Sequence, residues 1–157
     1  MTDDGRDAAR RVDLTRVLVV EDSEEDAEAI ERALTRTHPA LRLEFTAHGD
    51  GLAERLLACD EELPGMILLD LNMPGADGHK VLAALRARPE LAGLTVVVFT
   101  SSTAPAEVDA CYAAGADSYI YKPVNFDLFR TVLKGAVDYW QQAKGQPPAA
   151  PGSPRVK

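Results

Sequence analysis

Cysteine, basic clusters and long apolar runs are all in short supply in this sequence, and each shortage narrows what the chain can be. Cys59 and Cys111, the only cysteines, lack the spacing of a metal knuckle or a C-x-x-C redox pair. Two reduced thiols in or near the core are expected, with no function of their own. Lys and Arg number 17 against 25 Asp and Glu, for a net charge of −8, and they form no run. This balance argues against a nucleic-acid partner, because affinity for a phosphate backbone rests on clustered cations that release counterions. No apolar stretch approaches the length of a bilayer span, and the N-terminus, with Asp3, Asp4 and Asp7, has no apolar leader segment. A soluble, cytoplasmic protein with no membrane partner is expected.

What the chain does have is a hydrophobic content of 46%, enough for one core in a domain of ordinary size. Residues 1–15 mix both signs of charge with few apolar groups and read as a disordered arm, and residues 145–157, "GQPPAAPGSPRVK", read as a disordered Pro-rich tail. The folded domain is then expected over residues 16–144. It contains neither a long repeat nor a low-complexity block.

Inside it, apolar runs of strand length alternate with amphipathic stretches of helix length. The strands are "RVLVV" (16–20), "RLEFT" (42–46), "MILLD" (66–70), "TVVVF" (95–99) and "SYIYK" (118–122). Helices are expected over 24–37, stopped by His38-Pro39, then 50–60, 78–88, 105–114, stopped by Gly115, and 125–142. Three of the strands are apolar almost throughout, as strands covered on both faces must be. Five β-α units with right-handed crossovers predict an α/β fold: a five-stranded parallel sheet with helices on both faces, in the flavodoxin-like order 2-1-3-4-5. That order sets strands 1 and 3 side by side at the topological switch point, where ligands of open α/β sheets bind.

Acids stand at that point. Strand 1 runs into "EDSEED", so Glu21 and Asp22 leave the sheet at its carboxyl edge, and strand 3 in "MILLDLNMPGADG" ends on Asp70. Carboxylates converging in one crevice repel one another unless a cation lies among them. Oxygen ligands, few in number and next to solvent, suit Mg²⁺. Thr100 and Lys122 end strands 4 and 5 at the same edge, where a hydroxyl and an ammonium can donate to an anionic group carried by Asp70. Each residue also has a plain structural reading. Asp22-Ser23 with Glu24 and Glu25 suits a helix N-cap and first turn, Thr100 another cap, and Lys122 a solvated strand end. Five such residues on one sheet edge favour a phosphoryl pocket.

These motifs, in this order and at these intervals, resemble the response-regulator receiver domain of two-component signalling, of the CheY-like fold, over about residues 15–142. The resemblance implies that Glu21 and Asp22 hold Mg²⁺ together with Asp70 and the backbone carbonyl of Asn72. It makes Asp70 the phosphoacceptor, Thr100 the switch hydroxyl, Lys122 the phosphate-contacting lysine, and Pro123 the proline that follows through a cis bond. Tyr119 falls at the aromatic switch, and Asn72 and Ser102 where the family tunes access of the hydrolytic water. The implied activity is transfer of a phosphoryl group from a sensor histidine kinase or a histidine phosphotransfer protein to Asp70, with catalysis limited to the domain's own phosphorylation and dephosphorylation. The region 36–51, the block 67–86 and the helix end "AVDYW" are similar to stand-alone regulators that partner bacterial phytochromes. With no effector domain expected after Trp140, output would come through binding. Residues 126–140 carry a wide apolar stripe, mostly core, with Tyr139 and Trp140 as interface candidates, since related regulators form homodimers through helices 4 and 5.

Three rivals were weighed. A haloacid-dehalogenase-type phosphatase also uses a strand-end Asp, but its general acid would fall at Asn72, which cannot give up a proton in that role. A flavodoxin-like cofactor binder would not surround its phosphate loop with the negative charge of "EDSEED". A degenerate receiver serving only as a scaffold would not need the complete set of site residues.

Overall fold

The computed structural model describes residues 10–59, 61–71, 78–101, 104–122 and 125–145. Its elements follow the sequence in the order β1 (Val12–Val20), α1 (Glu24–Thr37), β2 (Arg42–Thr46), α2 (Leu52–Ala58), β3 (Leu63–Asp70), α3 (Gly78–Arg86), a single 3-10 turn (Pro89–Leu91), β4 (Thr95–Thr100), α4 (Pro105–Ala113), β5 (Ser118–Tyr121) and α5 (Phe126–Gly145). All four strand pairings are parallel, and the sheet order is β2-β1-β3-β4-β5, as the alternating pattern requires.

The sheet separates two apolar layers. Leu18, Val20, Ile67, Leu69, Val96 and Val98 face α2, α3 and α4, where Leu52, Leu82, Leu85 and Cys111 meet them. Alternate residues Val17, Val19, Leu68, Val97 and Phe99 face α1 and α5, and pack on Ile30, Leu34, Phe129, Leu133 and Val137. Successive side chains of a strand point to opposite faces, so β3 and β4, buried throughout, are apolar on both faces over Met66–Leu69 and Val96–Phe99. No helix among the described residues is long and apolar enough to cross a membrane.

Two strands begin earlier than their apolar runs, and β4 runs one residue further, to Thr100. β1 takes in residues 12–15, which had read as part of the N-terminal arm, and β3 begins at Leu63 rather than Met66. The extensions pair with each other, Val12 with Leu63 and Asp13 with Pro64, across an irregularity between Asp13 and Val17. Gly65 makes this approach feasible: a Cβ there would stand 2.8 Å from Leu14 Cα and 2.9 Å from the Asp13 carbonyl oxygen. Arg16 is buried nearby, bonded to Glu44 at 3.2 and 3.0 Å and to the Glu62 carbonyl. Cys111 is buried as expected, but Cys59 is exposed, since it is the C-cap residue of α2 and leaves the helix in an extended conformation.

α1 and α5 share one face of the sheet and are joined by polar contacts. His38, the C-cap of α1, lies 2.6 Å from Asp138 Oδ1 through Nε2. Lys134 bonds the other Asp138 oxygen at 2.7 Å. Lys134 first, then His38, lowers the Asp138 pKa. An acid with a lowered folded pKa adds stability above its unfolded value of 3.8 and loses it as pH falls through the folded one. Asp138→Asn is therefore expected to cost only ~0.5 kcal/mol at neutral pH, the pair being half exposed. Urea unfolding should show that difference disappearing when both proteins are measured below the carboxylate range.

Candidate functional site

The carboxyl ends of β1, β3, β4 and β5 are drawn to one edge by backbone bonds. The Glu21 N–H donates to the Thr46 carbonyl at 3.0 Å, Leu71 N–H to Phe99 at 3.1 Å, and Lys122 N–H to Thr100 at 2.7 Å. Parallel register puts Asp70 opposite Phe99 and Thr100 opposite Tyr121. Glu21, Asp70 and Thr100 are buried, Asp22 is exposed, and Lys122 is half-buried. Ser23 N-caps α1, its Oγ accepting from the Asp26 N–H at 3.2 Å. The capping reading of Ser23 holds, and the first turn of α1 begins where β1 delivers its acids.

Oxygens of Glu21, Asp22 and Asp70 lie within 4.8 Å of one another. Neither Glu21 carboxylate oxygen has a hydrogen-bond partner among the described residues, although both are buried. Burial and the adjacent Asp70 push the Glu21 pKa up to about 9 against the pull of Lys122. Buried acids without donors are short of positive charge. A few carboxylate oxygens beside solvent fit a hard divalent cation.

Lys122 supplies part of that charge. Its Nζ lies 3.6 Å from Asp70 Oδ2, 3.8 Å from Glu21 Oε2 and 5.1 Å from the centre of the Phe99 ring. Burial would lower its pKa, but the Asp26 hydrogen bond and the Asp70 and Glu21 charges outweigh that and raise it. The shortest of its carboxylate contacts is 2.7 Å to Asp26 Oδ2. Sequence reading missed Asp26 and Phe99. The signal for Asp26 was its place three residues after the cap, which turns it toward the same edge.

Tyr119 is half-buried against the layer beneath α4, and its backbone N–H donates to the Tyr112 hydroxyl at 3.2 Å. Burial, then Glu107 and Cys111, raise its pKa. Asn72, Ser102 and Pro123 lie outside the described residues. Of the two interface candidates, Tyr139 is exposed, whereas Trp140 packs on the α5 layer and donates from Nε1 to Ser118 Oγ at 2.8 Å. The two rings meet edge to face at 5.0 Å.

Comparison with known proteins agrees with this fold. Response regulator Rcp1 of Synechocystis sp. is 33% identical over 140 residues, covering 85% of this chain and 93% of its own. The crystal structure of the phosphorylated cyanobacterial phytochrome response regulator RcpA superposes with a TM-score of 0.73 at 28% identity, covering 82% of this chain and 94% of that one. The Mn²⁺-bound form of Rcp1 gives a TM-score of 0.66 at 31% identity, over 80% and 93%. The model of the response regulator receiver domain family matches residues 17–134, a span that contains Glu21, Asp22, Asp70, Thr100 and Lys122. With its acids, threonine and lysine gathered at the carboxyl edge of a 2-1-3-4-5 sheet, this chain belongs to the response regulator receiver domain family of two-component signalling.

Proposed function

We propose that the protein is a response regulator that takes a phosphoryl group on Asp70 and signals through binding that the phosphoryl group switches. The observation that carries this reading is the juxtaposition of buried Asp70 with donor-poor Glu21 and the Lys122 ammonium. An Asp70 oxygen attacks the phosphorus of a phosphohistidine, the P–N bond breaks, and its electron pair leaves with the imidazole. Lys122 and Thr100 donate to the oxygens of the transferred group. Hydrolysis returns Asp70 as a carboxylate and releases inorganic phosphate. The reaction modifies only the protein itself, so this is not a turnover enzyme. Glu21, Asp22, Asp70 and the Asn72 carbonyl would hold Mg²⁺. When bound, the ion supplies positive charge to the phosphoryl oxygens.

The switch would run through Thr100 and Tyr119. Drawing the Thr100 hydroxyl toward the phosphoryl group opens space for the Tyr119 ring, which biases the α4-β5-α5 surface between two arrangements. Tyr112, Tyr121, Leu128 and Tyr139 are the exposed large residues of those three elements, and they support a homodimer through that surface. Sedimentation at micromolar concentration is expected to show dimer in at least one phosphorylation state; monomer in both would remove the dimer. The partner proposed is a sensor histidine kinase, with a bacterial phytochrome favoured by the likeness to the phytochrome regulator RcpA, or a histidine phosphotransfer protein, in the cytoplasm.

The test is intact-mass spectrometry after incubation with acetyl phosphate, with and without Mg²⁺, followed by peptide mapping. A gain of one phosphoryl group on Asp70, dependent on Mg²⁺ and labile to hydroxylamine, is expected. Absence of any adduct with both acetyl phosphate and a phosphohistidine donor would overturn the reading in favour of a scaffold.

A further inference from the structure

Lys122 sits among three acids, yet it does not divide itself evenly. Nζ is hydrogen-bonded to Asp26 at 2.7 Å and stands off from Asp70 at 3.6 Å and Glu21 at 3.8 Å. Asp26 is the third residue of α1, and its backbone N–H is already taken by the Ser23 cap. In the reciprocal capping arrangement, an acid at this position turns its carboxylate back to the N-cap N–H. Asp26 instead extends its carboxylate across to the end of β5, 96 residues away in sequence. The helix start therefore does not account for the carboxylate's direction. Lys122 does.

We propose that Asp26 is a positioning residue for Lys122, an internal counter-anion that holds the ammonium off Asp70 and that an arriving phosphoryl group must displace. The inference rests on Asp70 being the phosphoacceptor. A lysine hydrogen-bonded to one carboxylate has its Nζ held near that carboxylate, and although the ammonium has three N–H groups, a phosphoryl oxygen on Asp70 competes with Asp26 for where Nζ sits. The Asp26 side chain is 40% exposed, so the bond is strong enough to set the resting position and weak enough to be exchanged. Its loss should favour any phosphoryl-like group on Asp70, both by freeing the ammonium and by removing a nearby negative charge.

The probe is beryllofluoride, a non-hydrolysable phosphoryl analogue, titrated in the presence of Mg²⁺ and followed by ¹⁹F NMR on the full chain. Asp26→Asn keeps the backbone cap and removes the counter-anion; it is expected to bind the probe about two- to five-fold more tightly, the size of a partly exposed ion pair. Asp26→Glu should return the affinity toward the wild-type value. Glu25→Gln removes the same charge from an exposed neighbour in the same turn and is expected to leave the affinity within about two-fold, since a solvated charge is largely screened. The proposal is overturned if Asp26→Asn behaves like Glu25→Gln, if Glu at 26 fails to restore the resting affinity, or if Asp26→Asn binds more weakly, which would make Asp26 a partner in anion binding and not its competitor. Failure of the wild type to bind the probe while Asp70→Asn also shows none would instead bring down the phosphoacceptor reading itself.

Discussion

Asp70→Asn is expected to take up no phosphoryl group and yet, in EDTA, to unfold at a higher temperature than the wild type. The first half follows from chemistry, since an amide is no nucleophile toward phosphorus. The second follows from the charge balance of the edge. Asp70 is 3% exposed and Glu21 4% exposed. Neither Glu21 oxygen has a hydrogen-bond donor among the described residues, and the nearby Lys122 ammonium is hydrogen-bonded to Asp26. Asparagine has nearly the shape of aspartate, removes the Asp70 charge that helps raise the Glu21 pKa and adds an N–H that a Glu21 oxygen can accept. Relieving an unsatisfied buried acid is worth ~1–3 kcal/mol, and at this size that is roughly 3–10 °C in Tm. Thermal melts should show the gap narrowing or reversing in millimolar Mg²⁺, because a ligand that binds only the folded state stabilises the protein that binds it better. A variant that melts below the wild type in EDTA would mean that Asp70 stabilises the apo fold through Lys122 and that the edge is not short of positive charge.

Gly78→Val is expected to be the most damaging single change near the site, costing ~1–3 kcal/mol of stability and lowering phosphoryl uptake at the same time. Gly78 opens α3 and is buried. A Cβ there would lie 2.8 Å from both Leu71 Cα and Leu71 Cδ2, and 3.3 Å from the Asp70 carbonyl oxygen. Leu71 Cδ2 could rotate away, but Cα and the carbonyl are backbone and could move only by displacing the end of β3. That is the segment that aims Asp70. Gly78 is not among the glycines with positive φ, so the requirement is for close approach of helix and strand and not for an unusual conformation. Urea unfolding should give a lower midpoint with an unchanged slope, and the alanine variant should fall between the valine variant and the wild type. An alanine variant with the wild-type midpoint would show that α3 can shift without cost.

Much of the architecture was legible in the chain, for a local reason. The limits expected for α1, residues 24–37, coincide with those observed, because Ser23 and His38-Pro39 are start and stop signals acting within a few residues of themselves. The limits of β2 coincide as well. The parallel sheet followed from counting β-α units and applying the handedness of their crossovers, which depends on backbone chirality and not on side-chain detail, and its order from the one of two common doubly wound arrangements that five units fit. Even the acids at the carboxyl edge were visible, since a charged residue ending an apolar run must leave the sheet there.

What the tertiary structure decided is which of those groups are buried and what each one touches. Glu21 and Asp22 are sequence neighbours of like charge, yet one is buried and the other exposed, because successive residues leaving a strand point in opposite directions. Leu63-Pro64-Gly65 reads locally as a turn, and it becomes strand because β1 offers it partners some fifty positions back. Trp140, an interface candidate by its place in the helix, is tied into its own domain by Ser118. Asp26, one acid among five in "EDSEED", gains its particular role from a lysine on another strand. Identity and local pattern determine what a residue can do; contacts between distant segments determine burial and pairing, and those set which carboxylate is buried, which lacks a donor among the described residues and which holds the lysine.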